Sequence, residues 1–137
     1  MIEPLYIATV GGHPLRFFKT PLDDGRPDFP WHAIDDLHRC LGLNRAQRKL
    51  LLSRMRSWKG GGEVRTVATA DGITTVAPHF MALGVIDGLV EEGTVSAATS
   101  FEYDRASAAA AKKLVTPFAF PTDEWFDWMK AAMNRWA

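Results

Sequence analysis

The sequence contains a single cysteine, Cys40, so no disulfide bond can form within the chain and nothing in it indicates an oxidising compartment. It also lacks any apolar run near the roughly 20 residues that a membrane-spanning helix requires. The first ten residues include Glu3 and no basic residue, unlike the start of a secretion signal. We therefore expect a cytoplasmic protein that does not interact with membranes.

Residue patterns typical of enzyme active sites are equally scarce. The four histidines are spread along the chain, at His13, His32, His38 and His79. His38 and Cys40 lack the second pair of ligands that a zinc site needs, and Lys59 precedes three glycines, whereas the lysine of a phosphate-binding loop follows them. The acidic residues of the proline-rich segment 20–30 are expected to be solvated; they are Asp23, Asp24 and Asp28. We therefore predict no catalytic residue, no metal site and no cofactor.

Charge is distributed unevenly, although the 16 basic and 16 acidic residues cancel. Residues 37–65 contain eight basic residues and only one acidic residue, Glu63, which gives a net charge of +7. Residues 66–104 contain six acidic residues and no Lys or Arg, which gives −6. The two regions either attract each other within one domain, or present a basic face to a polyanion and an acidic face elsewhere.

Two hairpins are predicted where strand-like segments flank turn residues. Residues 6–10 and 15–20 flank Gly11 and Gly12, and residues 63–70 and 73–77 flank Asp71 and Gly72. An extended segment at 29–32, a helix at 33–41 and a helix at 45–58, with Asn44 as its N-cap, are predicted between the hairpins, and a third helix at 80–90 follows them. Residues 1–93 are thus predicted to form an α+β domain, in which small antiparallel hairpins pack with three helices.

A helical C-terminal extension is predicted for residues 94–137. Its first helix, at 96–115, is rich in alanine and has a thin apolar stripe formed by Ala97, Phe101, Ala108 and Val115. Its second helix, at 123–136, carries large apolar residues around most of its circumference, among them Trp125, Trp128, Met129 and Trp136. This second helix either packs across the N-terminal sheet or docks on a partner, which includes a second copy in a homodimer.

Several short motifs accompany this order of elements. They are Phe17-Phe18, the segments Phe29 to Asp36, Leu41 to Arg45 and Thr69 to Val76, and the helix from Phe80 to Ile86. Together, over residues 13–92, they resemble the Bro-N domain of phage antirepressor-like and baculovirus proteins. The resemblance implies a regulator that binds DNA or a DNA-associated protein, and it implies DNA contacts for Arg45, Arg48, Lys49 and Arg56 on the second helix.

The charges of that second helix favour the same function, because Arg and Lys on a helix face neutralise phosphates and release counterions. The candidate DNA-binding residues are Arg45, Arg48, Lys49, Arg54, Arg56 and Lys59. The alternative is an ordinary solvated helix face. Trp58, at the end of the helix, either closes the core or stacks on a partner.

The same helix contains a second motif, of a different class. Gln47, Leu50 and Leu52 match the short Gln-x-x-Leu-x-Leu/Phe peptide with which bacterial proteins dock into the groove of the replicative sliding clamp. Gln47 would occupy a polar pocket, and the two leucines would fill an apolar one. This motif predicts a small toxin that inhibits replication; the alternative is that these residues pack inside the domain.

Overall fold

The computed structural model describes residues 1–58, 64–115 and 123–136. Within them the chain forms five strands and five helices. The strands are β1 (Tyr6–Val10), β2 (His13–Phe18), β3 (Trp31–Ala33), β4 (Arg65–Thr69) and β5 (Gly72–Ala77). The helices are α1 (Ile34–Cys40), α2 (Arg45–Ser57), α3 (His79–Glu91), α4 (Ala97–Val115) and α5 (Asp123–Asn134). The prediction of an α+β fold with antiparallel hairpins is confirmed.

The first hairpin turns where the sequence predicts it. Val10 pairs with His13 across Gly11 and Gly12, which have φ angles of 58° and 79°. Positive φ at both central residues is the turn geometry that follows the twist of an antiparallel pair, and glycine adopts it at little cost. A Cβ atom on Gly11 would also overlap the carbonyl oxygen of Cys40. This turn is therefore closely packed against the end of α1.

The second hairpin forms as predicted, but its turn lies one residue earlier. Thr69 pairs with Gly72, so the two central residues are Ala70 and Asp71. The prediction that Asp71 and Gly72 form the turn centre was wrong in register. The Thr69 hydroxyl accepts a hydrogen bond from the backbone N–H of Asp71 at 3.2 Å, and only Gly72 has a positive φ, of 113°. The side-chain contact of Thr69 thus stabilises the turn in the earlier position.

The five strands form one antiparallel sheet in the order β1-β2-β3-β5-β4, so the three-residue strand β3 joins the two hairpins. Phe17 and Phe18 of β2 pair with one edge of β3, and Val76 and Ala77 of β5 pair with the other edge of β3. At the end of the sheet, the backbone N–H of Ile2 donates to the carbonyl of Ala68 at 2.8 Å. The first residues of the chain therefore cover part of the outer edge of β4.

One face of the sheet carries the larger core. Side chains from β1, β2 and β5 pack there against α1, α3 and α4, and Met55 of α2 joins them. Among the largest fully buried members are Leu15, Phe17, Ile34, Leu37, Met81, Ile86 and Tyr103. Since α4 contributes Tyr103, Ala106 and Ala110 to this core, the alanine-rich helix is packed along its length against the sheet.

The apolar stripe predicted for α4 is on the wrong side of the helix. Ala97, Phe101 and Ala108 are exposed, whereas the buried positions are Tyr103, Ala106, Ser107, Ala110 and Ala111. The alanines allow α4 to approach β1 closely, and Tyr103 supplies the bulk. The side chain of Val115 lies outside the described residues.

The other face of the sheet is covered by the segment that precedes β3 and by the end of α5. Phe18, Trp31, Ala33, Val67 and Val76 form a second apolar cluster there, against which Leu22 and Trp136 pack. The Trp136 ring lies 6.4 Å from that of Trp31, and the Trp128 ring lies 5.9 Å from that of Phe29. The end of α5 thus packs on the sheet through Trp136, which is one of the two alternatives considered for this helix.

Asp28 connects these elements, contrary to the expectation that it is solvated. Its side chain is 4% exposed, and it accepts hydrogen bonds from the indole N–H groups of Trp31 at 2.7 Å and of Trp136 at 3.3 Å. Arg135, whose side chain is 3% exposed, lies 3.6 Å from the same carboxylate and also forms an ion pair with Asp24. A buried carboxylate with two indole donors and one ion pair thus attaches α5 to the sheet.

Within residues 1–58, 64–115 and 123–136, no helix is long and apolar enough to cross a membrane.

Three histidines are buried or half-buried in the domain, and burial lowers the pKa of each. His32, on β3, has no exposed surface, and neither of its ring nitrogens has a hydrogen-bond partner among the described residues; burial lowers its pKa to about 3. Burial also lowers the pKa of His38 and of His79. His79 Nδ1 is hydrogen-bonded to the Tyr103 hydroxyl at 2.8 Å. Burial therefore favours the neutral form of all three rings.

These histidines predict a loss of stability in acid. The unfolded chain binds protons at its histidines near pH 6.5 and the folded chain does not, so the free energy of unfolding is maximal above that pH. For His32 it should fall by up to about 1.4 kcal/mol per pH unit as the pH decreases from about 6.5 toward 3, and His38 and His79 should add to the loss in the same direction. Urea unfolding at several pH values measures this slope. His32→Leu should reduce it and the exposed control His13→Gln should not; an equal slope in all three proteins would contradict the assignment.

Removal of the Asp28 carboxylate should destabilise the whole domain. Asp28→Ala leaves two indole N–H groups without their acceptor and removes one partner of the buried Arg135, which we expect to cost about 3 kcal/mol. Asp23→Ala is the matched control, since Asp23 is exposed on the same segment, and it should change stability by less than about 0.5 kcal/mol. Thermal and chemical denaturation of both variants measure the difference. Equal stabilities would show that Asp28 does not hold α5.

Candidate functional site

Helix α2 is the candidate site, and its start is defined by local side-chain hydrogen bonds. The Asn44 side chain accepts from the backbone N–H of Gln47 at 2.9 Å, and the Gln47 side chain accepts from the backbone N–H of Asn44 at 2.8 Å. This reciprocal pair is a capping box, which satisfies two backbone donors of the first turn. The prediction of Asn44 as the N-cap is confirmed.

Few residues attach α2 to the domain. Met55 is the only buried residue among its thirteen, while Leu51 and Leu52 are half-buried against the core. Arg48 Nε donates to the carbonyl of Leu43 at 2.9 Å. Trp58, which follows the helix, is half-buried with its ring against Gly84 of α3. Trp58 therefore closes the edge of the core, one of the two alternatives considered for it.

The predicted DNA-binding residues of α2 lie mainly in solvent. Arg45, Lys49, Arg54 and Arg56 are exposed, and Arg48 is half-buried. At 100° per residue, Arg45, Lys49 and Arg56 lie within about 40° of one another around the helix axis, and Arg54 lies on the opposite side. Lys59 falls outside the described residues.

The charge of this helix is uncompensated. α2 contains no acidic residue, and within residues 1–58, 64–115 and 123–136 none of its Arg or Lys side chains forms an ion pair. By contrast, Arg16 and Arg39 outside this helix are paired with the buried carboxylate of Asp36. The cations of α2 are therefore available to a polyanion.

The residues of the clamp-binding motif do not share a face of α2. Leu50 is 52% exposed, whereas Leu52 is half-buried against the core. Residues that are two positions apart in a helix have side chains about 160° apart around the helix axis. The side-chain oxygen of Gln47 is occupied by the capping box. Docking of all three residues into one groove requires that this part of α2 unwind.

The four large residues predicted as a partner or core surface on α5 are all half-buried. They are Trp125, Trp128, Met129 and Trp136. The Trp125 and Trp128 rings stack at 6.1 Å, and Trp136 also packs against Phe80 at 5.2 Å. Phe126 and Met133 remain 61% and 66% exposed on the flank of the helix. The sequence indicated the apolar character of α5 but not the role of Arg135, whose ion pairs with Asp24 and the buried Asp28 attach the helix.

Chemistry of another kind finds little support in the described part of the chain. No group of three or more His, Cys, Asp or Glu side chains there is arranged to hold a metal ion. Burial raises the pKa of Cys40 to about 11, which keeps the thiol protonated and unreactive at neutral pH.

Comparisons with protein-family models, with curated proteins and with solved structures find no match to this chain.

Proposed function

We propose that this protein binds duplex DNA, or a protein on DNA, through the basic surface of α2, as a phage-related, antirepressor-like regulator. The observation that carries the proposal is the set of four exposed cations on a thirteen-residue helix without an acidic residue. They are Arg45, Lys49, Arg54 and Arg56. Such a surface gains binding free energy from the release of counterions that are condensed on DNA.

The dimensions and the electrostatics of the domain support this function. From Arg45 to Arg56 the helix rises about 16 Å, close to half a helical turn of DNA. The acidic region from 66 to 104 would be repelled by phosphates, so it would orient the domain with α2 toward the duplex. The order of two hairpins and three helices is also the order on which the resemblance to the Bro-N domain rests. The proposal places the protein in the cytoplasm and requires no cofactor.

Charge reversal on α2 tests the proposal. Arg45→Glu with Lys49→Glu should weaken binding of a labelled duplex, measured by fluorescence anisotropy. It should also reduce the slope of log affinity against log salt by about 2, since each phosphate contact contributes about 0.9. Lys113→Glu with Lys130→Glu makes the same charge change at exposed positions of α4 and α5 and should have a much smaller effect. Absence of wild-type binding at low salt, or equal losses in both variants, would refute the proposal.

A second candidate, binding to the bacterial replicative sliding clamp, is favoured by the weak attachment of α2. Because Met55 is its only buried residue, unwinding of the first turns breaks the capping box and releases the half-buried Leu52 while most of the core stays intact. Residues 47–52 would then bind as an extended peptide and inhibit replication. In this function, α2 is the folded, inactive form of the segment that binds the clamp.

The capping box distinguishes the two functions. Asn44→Ala and Gln47→Ala both break it and both favour unwinding, at a cost to the helix of about 1 kcal/mol. If the clamp is the partner, Gln47→Ala should abolish binding in calorimetric titration because the motif loses its polar residue, while Asn44→Ala should bind as well as wild type or more tightly. No heat on titration of the wild type, or equal effects of the two variants, would refute the clamp candidate.

A further inference from the structure

An apolar stripe on α4 has no partner within the described part of the domain. Ala97, Phe101 and Ala108 lie on the side of the helix that faces away from β1, and Phe101 is 69% exposed. Together with Val115 they are the thin apolar stripe that the sequence indicates for this helix. Their exposure indicates that this side of α4 is available to another molecule.

The first half of this stripe lines a groove between α3 and α4. The groove has a volume of about 310 Å³, and Val90, Ala97 and Phe101 form its apolar part. Its rim carries three carboxylates, from Asp87 and Glu91 of α3 and Asp104 of α4. No Lys or Arg lines it, and none occurs between residues 66 and 104. We call this site the acidic groove.

The chain also carries a surface that complements the acidic groove. Leu50 of α2 is 52% exposed, and Arg54 lies one turn further on the same side of the helix. Lys49 is the neighbour of Leu50 and is also exposed. Around the helix axis Leu50 lies between these two cations, about 100° from Lys49 and about 40° from Arg54. An apolar side chain with a cation on each flank has the chemistry that an apolar groove with three carboxylates on its rim selects.

We propose that the acidic groove binds α2 of a second copy of this chain, with Leu50 against Phe101 and with Lys49 and Arg54 near the carboxylates of the rim. Charge complementarity selects this occupant, because α2 is the one helix in the described ranges that has several cations and no acidic residue. Two such contacts form when each copy provides its helix to the groove of the other. The proposal does not depend on DNA binding; if both occur, DNA and the second copy compete for α2.

Sedimentation velocity over a range of protein and salt concentrations tests self-association. The wild type should associate at low salt and dissociate at high salt. Asp87→Lys with Glu91→Lys, the groove variant, should weaken association by at least about tenfold, since attraction becomes repulsion. The control, Glu3→Lys with Asp71→Lys, makes the same charge change at exposed residues that do not line the groove, and it should associate like the wild type. Phe101→Ser should weaken association without any change of charge.

Mixing of two variants tests the pairing itself. Lys49→Glu with Arg54→Glu, the helix variant, should not associate alone, and neither should the groove variant, because each then has a groove and a helix of like charge. An equal mixture should form a heterodimer, since each groove then meets a helix of opposite charge. A wild type that is monomeric at all concentrations, or a mixture that does not associate, would overturn the proposal. The groove variant retains every DNA-contacting residue, so failure of this proposal and failure of DNA binding are separate results.

Discussion

The fold depends on one short strand. β3 has three residues, yet it pairs with β2 on one side and β5 on the other, and no other strand joins the two hairpins. All three of its residues are buried, with Trp31 and Ala33 on one face of the sheet and His32 toward the other. A strand so short cannot hold two hairpins by backbone hydrogen bonds alone. The packing of its side chains on both faces supplies the rest of the stabilisation.

Two buried carboxylates strengthen this junction from opposite ends. Asp28 precedes β3 and accepts from the Trp31 indole, and it also attaches α5. Asp36 follows β3, and it accepts from the backbone N–H and the guanidinium of Arg16 on β2, at 3.0 and 2.8 Å. Asp28 thus has a structural role, although its proline-rich segment suggests a solvated loop.

Helix α2 takes no part in the hydrogen bonds and ion pairs of Asp28 and Asp36, and its composition follows from that position. It is attached by Met55, two half-buried leucines and its capping box, so most of its surface is solvated and can carry charge at little cost. Among the described residues, no acidic side chain of α3 or α4 forms an ion pair with it. A domain with net charge near zero therefore carries a basic helix and an acidic groove that do not neutralise each other by ion pairs, and both proposed interactions use these charges.

The sequence by itself determined the features that depend on neighbouring residues. Gly11 and Gly12 specify the first turn, Asn44 and Gln47 specify the start of α2, and the composition of residues 37–65 specifies a basic surface. Contacts between distant residues decided the rest. The spacing of Tyr103, Ala106 and Ala110 was a usable signal for the buried side of α4. Phe101, however, made the opposite side of the helix more hydrophobic. Only the position of β1 decides which of the two sides is buried. Asp28 is buried only because Trp31, Arg135 and Trp136 meet around it. Interactions across about a hundred residues depend on the shape of the whole domain, which no local pattern contains.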